Sequence, residues 1–277
     1  SGVFAVTALA GALGILVLAK VVPTPAVVSY QSNARLALDK VRGVLRDANL
    51  MKTTLGVFML HYLLMSAFLV FPQVLQQAGF VAAEHYQIYF WLLLVTFVLM
   101  GPFMWLAEKQ GFGRYLMLVM IAAFALSQVM LANVITALLV ITMMGLFFMA
   151  FNLLEVILPA FVSRIVHAGE RGTAMGVYSS CQFLGAFMGG LVGGLLLEMW
   201  DISVLVYVNA ACCVLWFITA LRLNGFEHFA SVTFEIEAED ERPADEVVKA
   251  LLSLSGVVEV ALAEGERVAY LKVDSAI

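Results

Sequence analysis

The chain has 277 residues, 63% of them hydrophobic and 13% charged, with a mean hydropathy of +0.98 and a formal net charge of −5. Soluble domains hold about 45–50% apolar residues, so a water-soluble globule is excluded; the net charge averages a mildly basic apolar part and a strongly acidic tail, and nothing in it supports nucleic-acid binding. The three cysteines, Cys181, Cys212 and Cys213, all lie inside apolar segments, which argues against both a disulfide framework and a thiolate metal site.

A helix needs about 20 apolar residues to cross a hydrocarbon core of about 30 Å. On that ruler seven spans are predicted, roughly 3–22, 53–76, 88–107, 115–133, 135–158, 173–197 and 204–221. Helix is the conformation that satisfies backbone groups within each segment in lipid. No initiator Met, basic n-region or cleavage site precedes the first span, so the chain reads as cut from something longer rather than as led by a signal peptide. Pro23 and Pro25 end that span. The basic stretch that follows, with Leu38, Val41, Leu45 and Ala48 at helical spacing between Arg35, Lys40, Arg42 and Arg46, predicts an amphipathic helix on a membrane surface facing anionic headgroups.

Positive charge sorts the loops. Lys20, Arg35, Lys40, Arg42, Arg46, Lys52, Lys109, Arg114, Arg164, Arg171 and Arg222 all fall on one side of the ladder, whereas 71–87, 131–134 and 198–203 hold no Lys or Arg. Positive charge marks the cytoplasmic face. Seven spans then begin outside and leave the tail in the cytoplasm.

After Arg222 the character changes. Residues 231–237 alternate like a strand, 244–254 carry Val247, Val248, Leu251 and Leu252 on a helical stripe, and 257–262 and 267–273 read as two further strands. A β-α-β-β order is the start of a ferredoxin-like module, truncated by one helix and one strand. It has no Cys or His between Ser231 and Ile277 and so lacks soft metal ligands. The expected fold class is an all-α transmembrane bundle followed by this small α+β domain. The expected boundaries are a first helix over 1–22, a linker over 23–52, a six-helix bundle over 53–222 and the partial domain over 231–277.

Polar groups inside spans are costly and point to function by default. Glu155 has Asn152 one turn before it and Pro159 one turn after, on one face expected to turn inward. A carboxylate at mid-membrane costs roughly 2.5–3.5 kcal/mol on insertion scales. It is either retained for proton or substrate binding or serves as a structural partner for an Arg or the backbone. His61 is either a protonatable group in a transport path or a neutral imidazole bonded between helices. In the sixth span Gly185, Gly189 and Gly193 recur every four residues, with Gly190 and Gly194 alongside, a smooth ridge for a close helix neighbour. Tyr178 and Gln182 share that face and aim hydrogen-bonding groups at either the partner helix or a cavity. No P-loop, HExxH or hydrolase signature appears, so neither an enzyme nor a cofactor is expected.

One span, a long basic linker and six further spans resemble the second half of a major facilitator superfamily transporter preceded by its sixth helix. The stretches HYLLMSAFLVFPQVLQQAGFVAAEHYQIYF (61–90), FNLLEVILP (151–159) and GTAMGVYSSCQFLG (172–185) are similar to the YajR-type bacterial inner-membrane transporters. The tail resembles the small cytoplasmic domain that family carries. In the loop AEKQGFGR (107–114), Glu108 and Lys109 match the superfamily's acid–basic pair and Gly111 its glycine, while Met104 stands where a glycine is usual and Phe112-Gly113 replace the basic pair. The glycine ridge is similar to the antiporter motif, with Gly190 at its proline position. The resemblance implies two six-helix halves rocking around a midplane cavity and proton-driven efflux of small compounds. It also implies a further half upstream, and a cavity wall here from His61, Trp91, Asn152, Glu155, Tyr178 and Gln182. The rival reading is a non-transporting seven-span anchor or sensor whose tail binds a ligand or partner. It would not need polar groups on several inward faces.

Overall fold

Long apolar runs bounded by caps and charges become long helices. The computed structural model describes residues 2–22, 38–107, 112–133, 136–166, 171–223, 229–235, 243–262 and 268–274. They form α1 (Gly2–Lys20), α2 (Leu38–Arg46), α3 (Ala48–Gln77), α4 (His85–Ala107), α5 (Phe112–Asn133), α6 (Ala137–Ile165), α7 (Arg171–Met199), α8 (Ile202–Ala220), β1 (Phe229–Glu235), α9 (Ala244–Leu252), β2 (Val257–Leu262) and β3 (Val268–Asp274).

Helix starts are written in side chains. Asp47 Oδ1 accepts from the Asn49 and Leu50 amides at 2.8 and 2.9 Å ahead of α3. Asp201 does the same for Ser203 and Val204 ahead of α8, and the Thr136 hydroxyl caps α6. Each satisfies amides that the first turn leaves without a helical partner. At the far end of α3, Gly79 has φ +93°, the left-handed conformation that favours glycine. Its amide and that of Phe80 close back onto Gln76 and Leu75 carbonyls at 3.0 Å.

Among the described residues, six helices are long and apolar enough to cross a bilayer: α3, α4 with the preceding turn at Ala82–Glu84, α5, α6, α7 and α8. α1, a 19-residue apolar helix, covers most of the first span expected from the sequence. It forms a compact unit separate from residues 36–277.

Within the larger unit α3 is the hub, packing most extensively on α7 and also on α6 and α8, while α5 joins α8 to α6 and α4 lies on α6. In its core Phe147 stands edge-on to Phe71, Phe124 and Phe148, and Phe148 tilts against Phe71, with centroids 4.6–5.7 Å apart. Trp216 of α8 extends this cluster toward Gly56 of α3, where an added Cβ would stand 3.1 Å from the indole Nε1. Lipid supplies no hydrophobic drive between helices, so such packing carries the association.

The linker helix α2 differs from expectation. Its apolar contact is Val44, 2% exposed, whereas Leu45 is 48% exposed. It packs against α7 and α3. In the tail, β3 lies between β1 and β2 and is antiparallel to both, with a register shift between Val257 and Glu259. Among the described residues of the tail, Val247 of α9 and Ala269 and Leu271 of β3 are buried.

Candidate functional site

Three of the predicted polar residues, from three helices, converge inside the bundle. On α3, His61 Nδ1 lies 3.2 Å from the Val57 carbonyl one turn back. A carbonyl only accepts, so Nδ1 carries the hydrogen and a neutral ring presents its other nitrogen as an acceptor. The Gln182 amide of α7 reaches that nitrogen, Nε2 to Nε2, at 2.8 Å. The same amide donates to Glu155 Oε1 of α6 at 3.4 Å. Glu155 Oε2 stands 3.6 Å from His61 Nε2 and, though buried, has no hydrogen-bond partner. Phe151, one turn before Glu155, sets its ring edge-on to the imidazole at 5.8 Å.

The expected structural partners of Glu155, an Arg or the backbone, are thus replaced by an amide and an imidazole. Pro159 has no amide hydrogen, so the Glu155 carbonyl four residues earlier loses its helical donor. The carboxyl side chain is 36% exposed and the imidazole 10%. The site is enclosed on the His61 side and open on the Glu155 side.

Tyr178 is buried on the α7 face that also buries Gly185, Gly189 and Gly193, and its hydroxyl has no hydrogen-bond partner. The glycines seat α7 on α3. A Cβ on Gly185 would strike the Phe58 carbonyl, one on Gly189 the Tyr62 carbonyl, and one on Gly193 would come within 2.9 Å of Leu69. Gly190 and Gly194 depart from the expected ridge, because a Cβ on either meets nothing within 4 Å. On a helix the next residue points about 100° away, which takes both off the α3 contact.

Two further expected members of the cavity wall stand apart from this cluster. Asn152 donates to Thr96 Oγ1 of α4 at 3.1 Å, and that hydroxyl donates to the Leu92 carbonyl at 2.7 Å, so Asn152 ties α6 to α4 instead of joining Glu155. Trp91 is 60% exposed and rests edge-on against Phe90. Its neighbour Tyr89 turns inward onto Phe68 and Phe148. Glu108, Lys109 and Gly111 lie outside the described residues.

A second polar cluster was missed at the sequence level. Ser66 of α3 and Asn209 of α8 bond reciprocally at 2.8 and 3.0 Å, and Asn209 also donates to Gln128 of α5 at 3.4 Å. All three are fully buried. The signal was there, single polar residues in the runs LLMSAF, LSQVM and VNAAC, but nothing in the order of residues joins them.

Residues 85–258 match the family profile described as Major Facilitator Superfamily. The chain is 36% identical over 234 residues to the inner membrane transport protein YajR of Escherichia coli (strain K12), covering 84% of this chain and 51% of that protein. It is 29% identical over 193 residues to an uncharacterized transporter of Buchnera aphidicola subsp. Baizongia pistaciae (strain Bp), covering 68% and 49%. A 136-residue stretch is 32% identical to another from Buchnera aphidicola subsp. Acyrthosiphon pisum (strain APS), covering 49% and 35%. The chain spans about half or less of the length of these curated relatives.

Proposed function

This chain belongs to the major facilitator superfamily, of the YajR type, and from that premise we propose that it forms one half of a proton-coupled secondary transporter that exports small compounds. The observation that carries the reading is the convergence of His61, Gln182 and Glu155 from α3, α7 and α6 inside an apolar bundle. Intramembrane ionisable groups are costly and are kept where they bind or move something. An anchor or sensor needs no such convergence.

In this reading Glu155 takes and releases the coupling proton, His61 and Gln182 hold it, and the open side of the carboxyl faces the substrate path. The apolar face of α4, where Phe90, Trp91, Leu94, Val98 and Trp105 are exposed, is met by lipid and by a second six-helix half. Rocking of the two halves gives alternating access. The basic residues set the end that carries Lys52, Arg114 and Arg222 in the cytoplasm of the bacterial inner membrane, and the tail with it. The tail's β1-β3-β2 order, with β3 antiparallel to both neighbours, supports a partial ferredoxin-like domain, since that is the arrangement of a split βαβ unit.

The test is pH-gradient-driven efflux of a fluorescent amphipathic dye from cells expressing the transporter that contains this segment. Glu155→Gln, which keeps the hydrogen-bonding shape and loses the proton, should abolish the gradient-driven component while leaving the protein in the membrane. Flux that is unchanged in Glu155→Gln would take Glu155 out of the mechanism.

A further inference from the structure

We infer, resting on the proton-carrying reading above, that Gln182 sets the order in which this site takes up protons. The first goes to Glu155, and His61 stays neutral until the Gln182 amide turns over.

The argument is a count of donors and acceptors. With Nδ1 committed to the Val57 carbonyl, the neutral ring offers only the lone pair on Nε2, and a Gln182 amide hydrogen occupies it at 2.8 Å. The second amide hydrogen is directed at Glu155 Oε1. Protonating the ring would set two donors, ring N–H and amide NH₂, against each other at that separation. Turning the amide over would give the ring a carbonyl acceptor, but the arrangement would then aim a carbonyl oxygen at an ionised carboxylate, two acceptors with no hydrogen between them.

A proton on Glu155 Oε2 disturbs neither bond. That oxygen is buried and has no hydrogen-bond partner, and Oε1 still accepts from the amide. Once the acid is neutral, the reversed amide becomes tolerable. Its carbonyl oxygen has two lone pairs and can accept from both the imidazolium and the carboxylic acid. The protons come from and return to water, and no other bond forms or breaks.

The surrounding groups do not supply a competing charge. Tyr178 lies one turn before Gln182 on α7, Tyr62 is on α3 beside His61, and Tyr89 is on α4. Cys181 is on α7, with Cys212 and Cys213 on α8. Among the described residues, the other Lys, Arg, His, Asp and Glu residues of α3 to α8 are Lys52, His85, Arg114, Arg164, Arg171 and Glu198, all in the first or last two turns of their helices. Arg42 and Arg46 of α2, which packs on α3 and α7, are exposed.

The experiment is magnetic resonance of the full chain in lipid nanodiscs, with ¹⁵N-labelled histidine and ¹³C-carboxyl-labelled glutamate, as pH is lowered. His61→Phe and Glu155→Gln assign the two signals. In the wild type the Glu155 carboxyl should shift first while the ring keeps its neutral Nδ1–H form. In Gln182→Met, similar in volume but without the amide, the order should reverse and an imidazolium–carboxylate pair should form at the first step. A wild-type ring that protonates first, or together with the acid, overturns the inference, as does an unchanged order in Gln182→Met. The wild-type order decides even where the variant does not fold. If neither wild-type signal moves, the proton-carrying reading itself falls. If both move in the wrong order, only the role of Gln182 does.

Discussion

Asn152 and Glu155 sit three residues apart on α6, yet one serves α4 and the other α3 and α7. Interhelical hydrogen bonds in membranes average about 0.6 kcal/mol in double-mutant cycles. Thr96→Val, which removes the Asn152 acceptor, should therefore lower stability by about that amount in unfolding by mixed micelles, with little effect on the Glu155 carboxyl signal. The Asp201 cap is worth more, because its loss leaves two amides at the start of α8 unpaired. Asp201→Ala should cost about 1 kcal/mol in the same assay. At this scale the sequence announced the ionisable residues well: a Glu and a His in otherwise apolar runs are visible at once. Which of them meet is not legible, since His61 and Gln182 are 121 positions apart and polar residues carry no mark of their partner. Asn152 shows the limit, because a shared helical face of about a third of the circumference still spans two different neighbours.

The α3–α7 pair shows what spacing alone can specify between elements. Gly185, Gly189 and Gly193 step along α7 in register with Phe58, Tyr62 and Ser66 on α3, four residues at a time on both helices. A methyl group at Gly189 would be driven into backbone, which cannot move aside as a side chain can. Gly189→Ala should destabilise by about 3 kcal/mol, the upper part of the usual range for overpacking. Gly190→Ala, with open space around it, should be close to neutral by the same unfolding measurement. The period was readable from the sequence, but the facing helix was not, and neither was the separation of Gly190 and Gly194 from the contact. For α2 the amphipathic pattern was legible, while the choice of Val44 as its anchor came from the bundle surface it meets.

For the molecule as a whole, length and hydropathy foretold six of the helices and the break in character after Arg222, because those are properties of single segments. The charge pattern has a structural counterpart. Lys52 Nζ donates to the Arg222 carbonyl at 2.7 Å and Arg114 to the Leu221 carbonyl at 2.8 Å, both just beyond the end of α8. Arg171 likewise meets the Ser163 carbonyl near the end of α6. Cations at helix C-termini complement the partial negative charge there, so these residues hold helix ends together besides the orienting role proposed for them. A single cysteine replacing Arg222 should react with a membrane-impermeant maleimide only from the cytoplasmic side, and labelling from outside would reverse the proposed topology.

The glycine seat has a mechanical corollary. Backbone presses on backbone at Gly185 and Gly189, and the two helices seated there, α3 and α7, carry His61 and Gln182, joined at 2.8 Å. Glu155 stands on α6, outside that pair, at the end of the longer 3.4 Å link. On the proposed reading, a shear between α6 and the α3–α7 pair would be taken up at this longer link, the one that reaches the proton-carrying carboxyl.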